Sequence, residues 1–434
     1  MKIPIMNAYS RIQRIFLSCM ILCICLFCIL LVCGNTGNQT DIVLFSGRQF
    51  QEDTLNTELY AAEMNPYGYS PDEAHIPFPH ANYLPLAYCF YHFLFRISGQ
   101  DISSAQAMAV SVGWMLLSSV LLLVLLKAMF SQSRRGWIPA LICILSAPSV
   151  FAFERGNLIY FTVVLIAFFL LYYRSEDLLL REFAFLALSV AAALKIFPAL
   201  FGLLLLSERR WKEAFRLILY GILFAFIPFL FIKGGFKNLP LLFDNVKAHT
   251  AFYGRYIYPR FGFRLFSSLL YSLHWNQLFL ENTLWKIAEK MESVFPFLDL
   301  LFSAGCICCL FSDVPGWKKT AAVAAVLVNY PVNSGLYTAM YYLPVVILFL
   351  KDSSESRLNY CLLILFLFIL SPLQIPFPYG SIGIQDPDLC NLTNLYQNVS
   401  SYAIFLIFAF IGLSSAVKRL RCFIGRLQEG KAGL

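Results

Sequence analysis

Two cations stand inside stretches that are otherwise apolar. Lys195 lies within Phe183-AFLALSVAAALKIFPALFGLLLL-Ser207, and Arg155 lies within Phe151-AFERGNLIY-Phe161. Holding an ammonium group at membrane depth costs several kcal/mol, so such a lysine marks a functional site with a partner to be found. Pro198 follows three residues later and must bend or end the helix beside the charge. The chemistry on offer is anion binding: Arg155 presents a planar fork matched to phosphate oxygens, and Lys195 a compact charge. Cations at two helix breaks on one side of a membrane suit an anionic lipid headgroup. The alternative for Lys195 is snorkelling to a helix end, or pairing with a structural carboxylate such as Glu154. For Arg155, its neighbour Glu154 makes an ordinary ion pair an equal contender.

A proton acceptor is needed if anything is to react there. Asp41 stands about eight residues beyond the first apolar run, close to the membrane surface, where a carboxylate can act as general base. An ordinary loop or helix-capping aspartate would look the same. Glu52, Asp53 and Glu58 read as a solvated acidic face. No Asp, Glu and His cluster has metal-ligand spacing, so neither a tightly held metal nor a cofactor is expected.

The elements that must position these groups are membrane helices. Of 434 residues, 59% are hydrophobic and 13% charged, and the mean hydropathy is +0.68. A soluble domain does not reach those values. Continuous apolar runs favour helices over an alternating barrel, giving an all-α bundle of about 11–13 spans in one domain covering residues 1–434. Apolar segments fall near 15–33, 105–129, 137–153, 157–173, 182–195, 196–206, 213–232, 294–311, 319–332, 335–350, 358–375 and 401–417. Those flanking Lys195 and Pro198 are too short to cross alone and read as packed half-helices. The segment 82–97 reads as re-entrant or interfacial, and Arg260 to Trp275 as an in-plane amphipathic helix.

The net charge of +8 is mostly short-loop Lys and Arg, which set topology and do not imply nucleic-acid binding. Arg134, Arg135, Arg174, Arg181, Arg209, Arg210, Lys318, Lys319, Lys351 and the tail from Lys418 to Arg421 are expected in the cytoplasm, with both termini. Loops 34–104 and 233–293, the Arg155 turn and the Lys195 bend then share the outer face. Residues 15–33 follow Lys2, Arg11 and Arg14 and read as a retained signal anchor. The 13 cysteines carry little signal; Cys19, Cys23, Cys25, Cys28, Cys306, Cys308 and Cys309 sit in apolar runs. Asn38, Asn391 and Asn398 open glycosylation sequons on the outer side, relevant only in a eukaryotic host.

Four local patterns, in order, resemble the GT-C membrane glycosyltransferases, and most closely glycosyltransferase family 87, the polyprenyl-phosphate-mannose-dependent mannosyltransferases. They are Asp41-Ile-Val-Leu-Phe45 after the first span, then Asn65-Pro-Tyr67 with Tyr83-Leu-Pro85. Next come the turn Arg155-Gly156-Asn157, where the family has Gln in place of Asn157, and Leu194-Lys-Ile-Phe-Pro198 with its basic exit Glu208-Arg-Arg-Trp-Lys212. The resemblance covers residues 15 to 235 and implies a GT-C bundle. It implies that Asp41 deprotonates an acceptor hydroxyl while that oxygen attacks the donor's anomeric carbon. One displacement inverts the configuration and expels polyprenyl phosphate. Arg155 and Lys195 would then hold the donor phosphate, where preorganised cations stabilise the charge that grows on the leaving group.

Asn157, Tyr83, His249 and Arg255 are candidate substrate contacts. Tyr253, Arg255, Tyr256 and Tyr258 combine aromatics and cations as carbohydrate and lipid-phosphate sites do, although interfacial anchoring explains them equally well. His75, His80, His249 and His274 could assist the base or hold a sugar hydroxyl, with solvated loop histidines as the alternative. The expected partners are a polyprenyl-phosphate-sugar donor, a glycolipid or glycan acceptor and the bilayer, in a bacterial plasma membrane. A polymerase, ligase or flippase for lipid-linked oligosaccharides is the first rival, but such enzymes concentrate their site in a large late loop. A transporter is the second, but its fold commonly pairs broken helices across inverted repeats, and only one such break is found.

Overall fold

The computed structural model describes residues 9–33, 50–68, 81–255, 281–331, 335–352, 354–373 and 395–432, and these are helical throughout apart from turns. The α-helices in chain order are α1 (Arg11–Val32), α2 (Glu52–Ala61), α3 (Pro85–Ile97), α4 (Ala105–Phe130), α5 (Trp137–Ile144) and α6 (Ala147–Glu154). They continue with α7 (Ile159–Tyr172), α8 (Leu178–Leu194), α9 (Leu203–Ser207), α10 (Trp211–Phe226) and α11 (Leu239–Arg255). The last five are α12 (Glu281–Leu310), α13 (Gly316–Asn329), α14 (Tyr342–Asp352), α15 (Arg357–Leu370) and α16 (Leu395–Ala432). The molecule is an all-α polytopic membrane protein.

Local chemistry sets the boundaries. Ser10 caps α1 through a reciprocal box with Gln13, Ser104 caps α4, Asp177 caps α8 and Ser356 caps α15. Among the described residues four helical segments are long and apolar enough to cross a membrane: Arg11–Val32, Ala105–Phe130, Trp211–Phe231 and Tyr396–Ile424. Arg134–Ile144 and Ala147–Glu154, bent by 60° to each other, supply a fifth if taken as one broken span. The expected span at 137–153 is therefore not straight. Pro148 sits in the first turn of α6, where a missing N–H costs nothing, and a second helix starts there in a new direction. The stretch around Lys195 is split as anticipated: α8 ends at Leu194, Lys195 is extended, and a 3-10 turn, Phe197–Gly202, leads into five-residue α9.

Sequence-distant helices close the bundle. α12 crosses α16 where Gly305 lies against Ala409 and Gly412, so closely that a Cβ on either glycine would strike the partner's backbone. Small residues at a crossing are how helices in lipid gain contact without a hydrophobic drive. Buried Phe16, Phe169, Phe201, Phe349, Phe366 and Phe405 fill the core. Leu116, Val120, Leu219 and Ile222 are exposed on α4 and α10, as lipid-facing residues must be.

A smaller aromatic layer, with Tyr67 5.5 Å from Tyr88 and 6.4 Å from Phe229, seats the first-loop elements α2 and α3 against the bundle. The helix α3 has 13 residues. At a rise of about 1.5 Å per residue it is too short to cross. Asn398, read as the start of a sequon, is 2% exposed within α16.

Candidate functional site

The site grows from the end of α6. Gly156 has φ +64°, and a Cβ there would lie 2.7 Å from both Gln51 Oε1 and Thr54 Oγ1. Only glycine meets both demands. The Gly156 amide donates to Phe153 O and the Asn157 amide to Ala152 O at 2.9 Å, a doubly bonded helix stop. The N-terminus of α2 docks on this turn. The Gln51 amide donates to Glu154 O at 2.7 Å, the Asp53 amide to Arg155 O at 3.0 Å, and Thr54 Oγ1 to Gly156 O at 2.5 Å. Gln51 Nε2 donates to Phe153 O at 2.6 Å, and Ser111 Oγ of α4 donates to Gln51 Oε1 at 2.6 Å. The first loop is thereby joined to a turn a hundred residues away.

Side chains complete the junction. Arg155 Nη2 donates to Asp53 Oδ1 at 2.6 Å, and its Nη1 lies 3.2 Å from Glu52 Oε2. Asn157 Nδ2 donates to the other Asp53 oxygen at 2.7 Å, while its own oxygen accepts the Ile159 amide at 2.9 Å. Both Asp53 oxygens are engaged, and the Arg155 and Asp53 side chains are each 15% exposed. The reading of Glu52, Asp53 and Glu58 as a solvated face is thus corrected. Glu58 is fully buried, with Ser98 Oγ 3.5 Å from one oxygen, and burial pushes its carboxyl up to about 7. Burial also raises Glu52, against the lowering pull of Arg155.

Lys195 lies beside this junction. Its Nζ stands 5.2 Å from the Tyr83 ring and 5.7 Å from the Tyr337 ring. The cation is held between two aromatic faces. No carboxylate lies within 4.0 Å of it among the described residues. Asp53 is close enough to act electrostatically on Lys195, and Asp53 and Arg155 both act on Tyr83 and Tyr337. Tyr67 donates to the Tyr83 carbonyl at 2.7 Å, and Tyr337 stacks on Phe151 of α6 at 6.2 Å. One cluster therefore unites α2, α6, the α8 bend, the approach to α3 and the 3-10 turn before α14.

Of the residues singled out from sequence, Arg155, Asn157, Lys195 and Tyr83 come together. Asp41 lies outside the described residues, as do His75, His80, His274, Tyr256, Tyr258 and the stretch from Arg260 to Trp275. His249 lies on α11, one turn beyond Asn245, whose side chain donates to Ala81 O at 3.2 Å next to the first loop. Arg255 closes α11, and its side chain is outside the described part. Asp53, Glu52 and Tyr337 were missed. A signal for Asp53 was present, since Glu52 and Asp53 open a helix whose dipole favours acids in its first turn. Nothing in the apolar, aromatic surroundings of Tyr337 distinguishes it in sequence.

The cluster occupies one end of the bundle. α7 leads from Ile159, two residues after Asn157, to Tyr172; just beyond it Arg174 pairs with Glu208 at 2.6 Å, and Arg181 lies 3.4 Å from Glu213 beside Arg210. Gly316, at the start of α13, lies against Arg174, and Trp317 packs on Phe349 at 5.1 Å near the end of α14. Gln13 donates to Leu350 O at 2.6 Å and Tyr9 to Arg135 O at 2.7 Å. Arg135, Arg174, Arg181 and Arg210 therefore collect at the end opposite the Asp53, Arg155 and Lys195 cluster, whereas Lys233, whose amide donates to Met64 O at 2.7 Å, lies with the first loop.

A cationic and acidic cluster flanked by tyrosines, at one end of a bundle of apolar helices, can hold an anionic group. The model of glycosyltransferase family 87 matches residues 102–329, just over half of the chain. The match takes in Arg155, Asn157 and Lys195 and begins in the last residues of the first loop. No curated protein gives a match. The expectations of a membrane protein and of an enzyme are borne out together: this chain belongs to glycosyltransferase family 87, a family of GT-C type membrane glycosyltransferases.

Proposed function

We propose that the protein transfers a hexose, mannose being the sugar the family resemblance favours, from a polyprenyl-phosphate donor to a glycolipid or glycan acceptor with inversion. Lys195 carries this reading. A cation with no carboxylate within 4.0 Å among the described residues, seated between Tyr83 and Tyr337 at a helix break, is short of negative charge until an anion arrives. A donor phosphate would supply it, and the ammonium would stabilise the charge that develops as the sugar–phosphate bond breaks. Arg155 stands beside it as the second phosphate cation; because Asp53 and Glu52 already share its charge, its part is the smaller.

Asp41 is the base in this scheme, taking the acceptor hydroxyl proton as the oxygen attacks the anomeric carbon. Asp53, with both oxygens occupied by Arg155 and Asn157, is instead a positioning residue. His249 and Arg255 on α11 are the proposed contacts to the sugar or acceptor. The gathering of Arg135, Arg174, Arg210, Lys318 and Lys351 at the far end supports an outward-facing site and cytoplasmic termini, and the membrane we propose is a bacterial plasma membrane.

The test is an in vitro assay with a panel of polyprenyl-phosphate sugars. Lys195→Ala should raise the donor KM by roughly ten-fold or more, the loss of one charge-assisted contact. A normal donor KM would remove Lys195 from the phosphate site. Asp41→Asn should abolish transfer while the protein still expresses, and unchanged turnover would exclude Asp41 as the base.

A further inference from the structure

At the bundle end opposite the transfer site, a cleft of about 200 Å³ opens between α1, the turn from α4 to α5, and the end of α14. Arg135 and Lys351 line it together with Tyr9, Gln13, Phe130, Ser131 and Ser133. No acidic side chain lines it among the described residues. α1 and the residue before its cap fix both cation-bearing segments, because Tyr9 donates to Arg135 O at 2.7 Å and Gln13 to Leu350 O at 2.6 Å. The Ser131 and Ser133 hydroxyls are hydrogen-bonded to each other at 2.9 Å and accept the Ser133 and Arg135 amides, which orders the turn that carries Arg135 and leaves one hydroxyl proton for a ligand. Lys351 has no carboxylate within 4.0 Å among the described residues.

Two lipid-facing stripes lead to this cleft. On α4, Leu117, Leu121 and Val124 are exposed along the helical row that reaches Ser131, and on α5 Trp137 and Leu141 are exposed one turn apart. Lys127 Nζ stands 5.8 Å over the Trp137 ring. Aromatic and cation pair in this way at headgroup level. The volume falls below the ~300–1,000 Å³ that encloses a whole small ligand, so a headgroup fits only if the rest of the molecule lies outside. We propose that this cleft binds the phosphate of an anionic membrane phospholipid whose acyl chains lie along the exposed faces of α4 and α5. A zwitterionic lipid presents the same phosphate but brings an ammonium group against Arg135 and Lys351. A basic pocket between membrane helices selects against that charge.

The test uses the full-length protein in nonionic detergent, with melting temperature followed as phosphatidylglycerol, phosphatidylcholine or inorganic phosphate is added. Phosphatidylglycerol should raise the melting temperature and phosphatidylcholine should not. Removing one cation should cost about five-fold in apparent affinity, so Arg135→Gln with Lys351→Gln should move the phosphatidylglycerol midpoint up by about 25-fold. Lys318→Gln with Lys319→Gln, an equal charge change elsewhere at that end, should leave the midpoint in place. If the double variant does not fold, Lys351→Gln alone, at an exposed position, should still shift the midpoint about five-fold. An unshifted midpoint, an equal shift from the Lys318 and Lys319 pair, or equal stabilisation by phosphatidylcholine would each overturn the site. Stabilisation by inorganic phosphate at the same concentration would overturn the lipid as its occupant.

Discussion

Asp53 and Lys195 divide the electrostatic work of the site. Asp53 is bound on both oxygens, whereas no carboxylate among the described residues lies within 4.0 Å of Lys195, so Lys195 has more charge to spare for a substrate than Arg155 has. Removing a partner from a largely buried ion pair typically costs about 3–5 kcal/mol, because the remaining charge is left unpaired. Asp53→Asn should therefore lower the melting temperature markedly as well as activity, whereas Asp41→Asn should lower activity alone. Equal melting curves for wild type and Asp53→Asn would show that the Arg155 junction does not hold the first loop in place. At this scale the sequence was half legible. Arg155 and Lys195 announce themselves because charge inside an apolar run has no cheap explanation. Asp53 does not, because Glu52, Asp53 and Glu58 in a polar loop look solvated until a distant turn covers them. The pairing that buries Asp53 depends on docking across a hundred residues, which no local pattern encodes.

The elements that carry the site are short and interrupted, and α2 is the most exposed to solution conditions. It lies in the first loop, outside the apolar helices, and is held at its start by the Arg155–Gly156–Asn157 turn and at its middle by burial of Glu58. Because burial raises Glu58 to about 7, its carboxyl is neutral in the folded protein at a pH where the unfolded chain is already ionised. The sign follows. Below the unfolded value the group costs nothing, stability declines as pH rises, and the full cost is present once pH exceeds the folded value. Wild type should melt roughly a few degrees lower at about pH 8 than at about pH 5, a slope of up to about 1.4 kcal/mol per pH unit across that window. Glu58→Gln keeps the shape and a donor or acceptor for Ser98 without the charge, so its melting temperature should fall less over the same range. Parallel profiles for the two proteins would remove Glu58 as the cause. Helix breaks were readable where proline meets charge, as at Lys195 and Pro198. The bend between α5 and α6 was not, because Pro139 and Pro148 in unbroken apolar sequence also fit straight helices that carry proline in their first turn.

For the whole molecule, composition alone settled the class, since 59% hydrophobic residues at 434 residues leave little but a membrane bundle. The number of crossings was less legible, because apolar sequence also serves short helices packed wholly inside protein: much of α7, α13 and α14 is buried from every side. Orientation rests on a different quantity. Arg135, Arg174, Arg210, Lys318 and Lys351 gather at one end, and the Asp53, Arg155 and Lys195 cluster lies at the other. Short-loop Lys and Arg resist translocation, so the first end should face the cytoplasm and the second the outside. Two exposed turns separate the alternatives. Asp101 precedes α4, whose first turns lead to Ser111 and the Gln51 contact, and Glu176 lies between α7 and α8 beside the Arg174 and Glu208 pair. In a background without the native exposed cysteines, Asp101→Cys should react in intact cells with a membrane-impermeant maleimide. Glu176→Cys should react only after permeabilisation. If Glu176→Cys alone is labelled from outside, the transfer site faces the cytoplasm, and the donor would have to be presented from that leaflet.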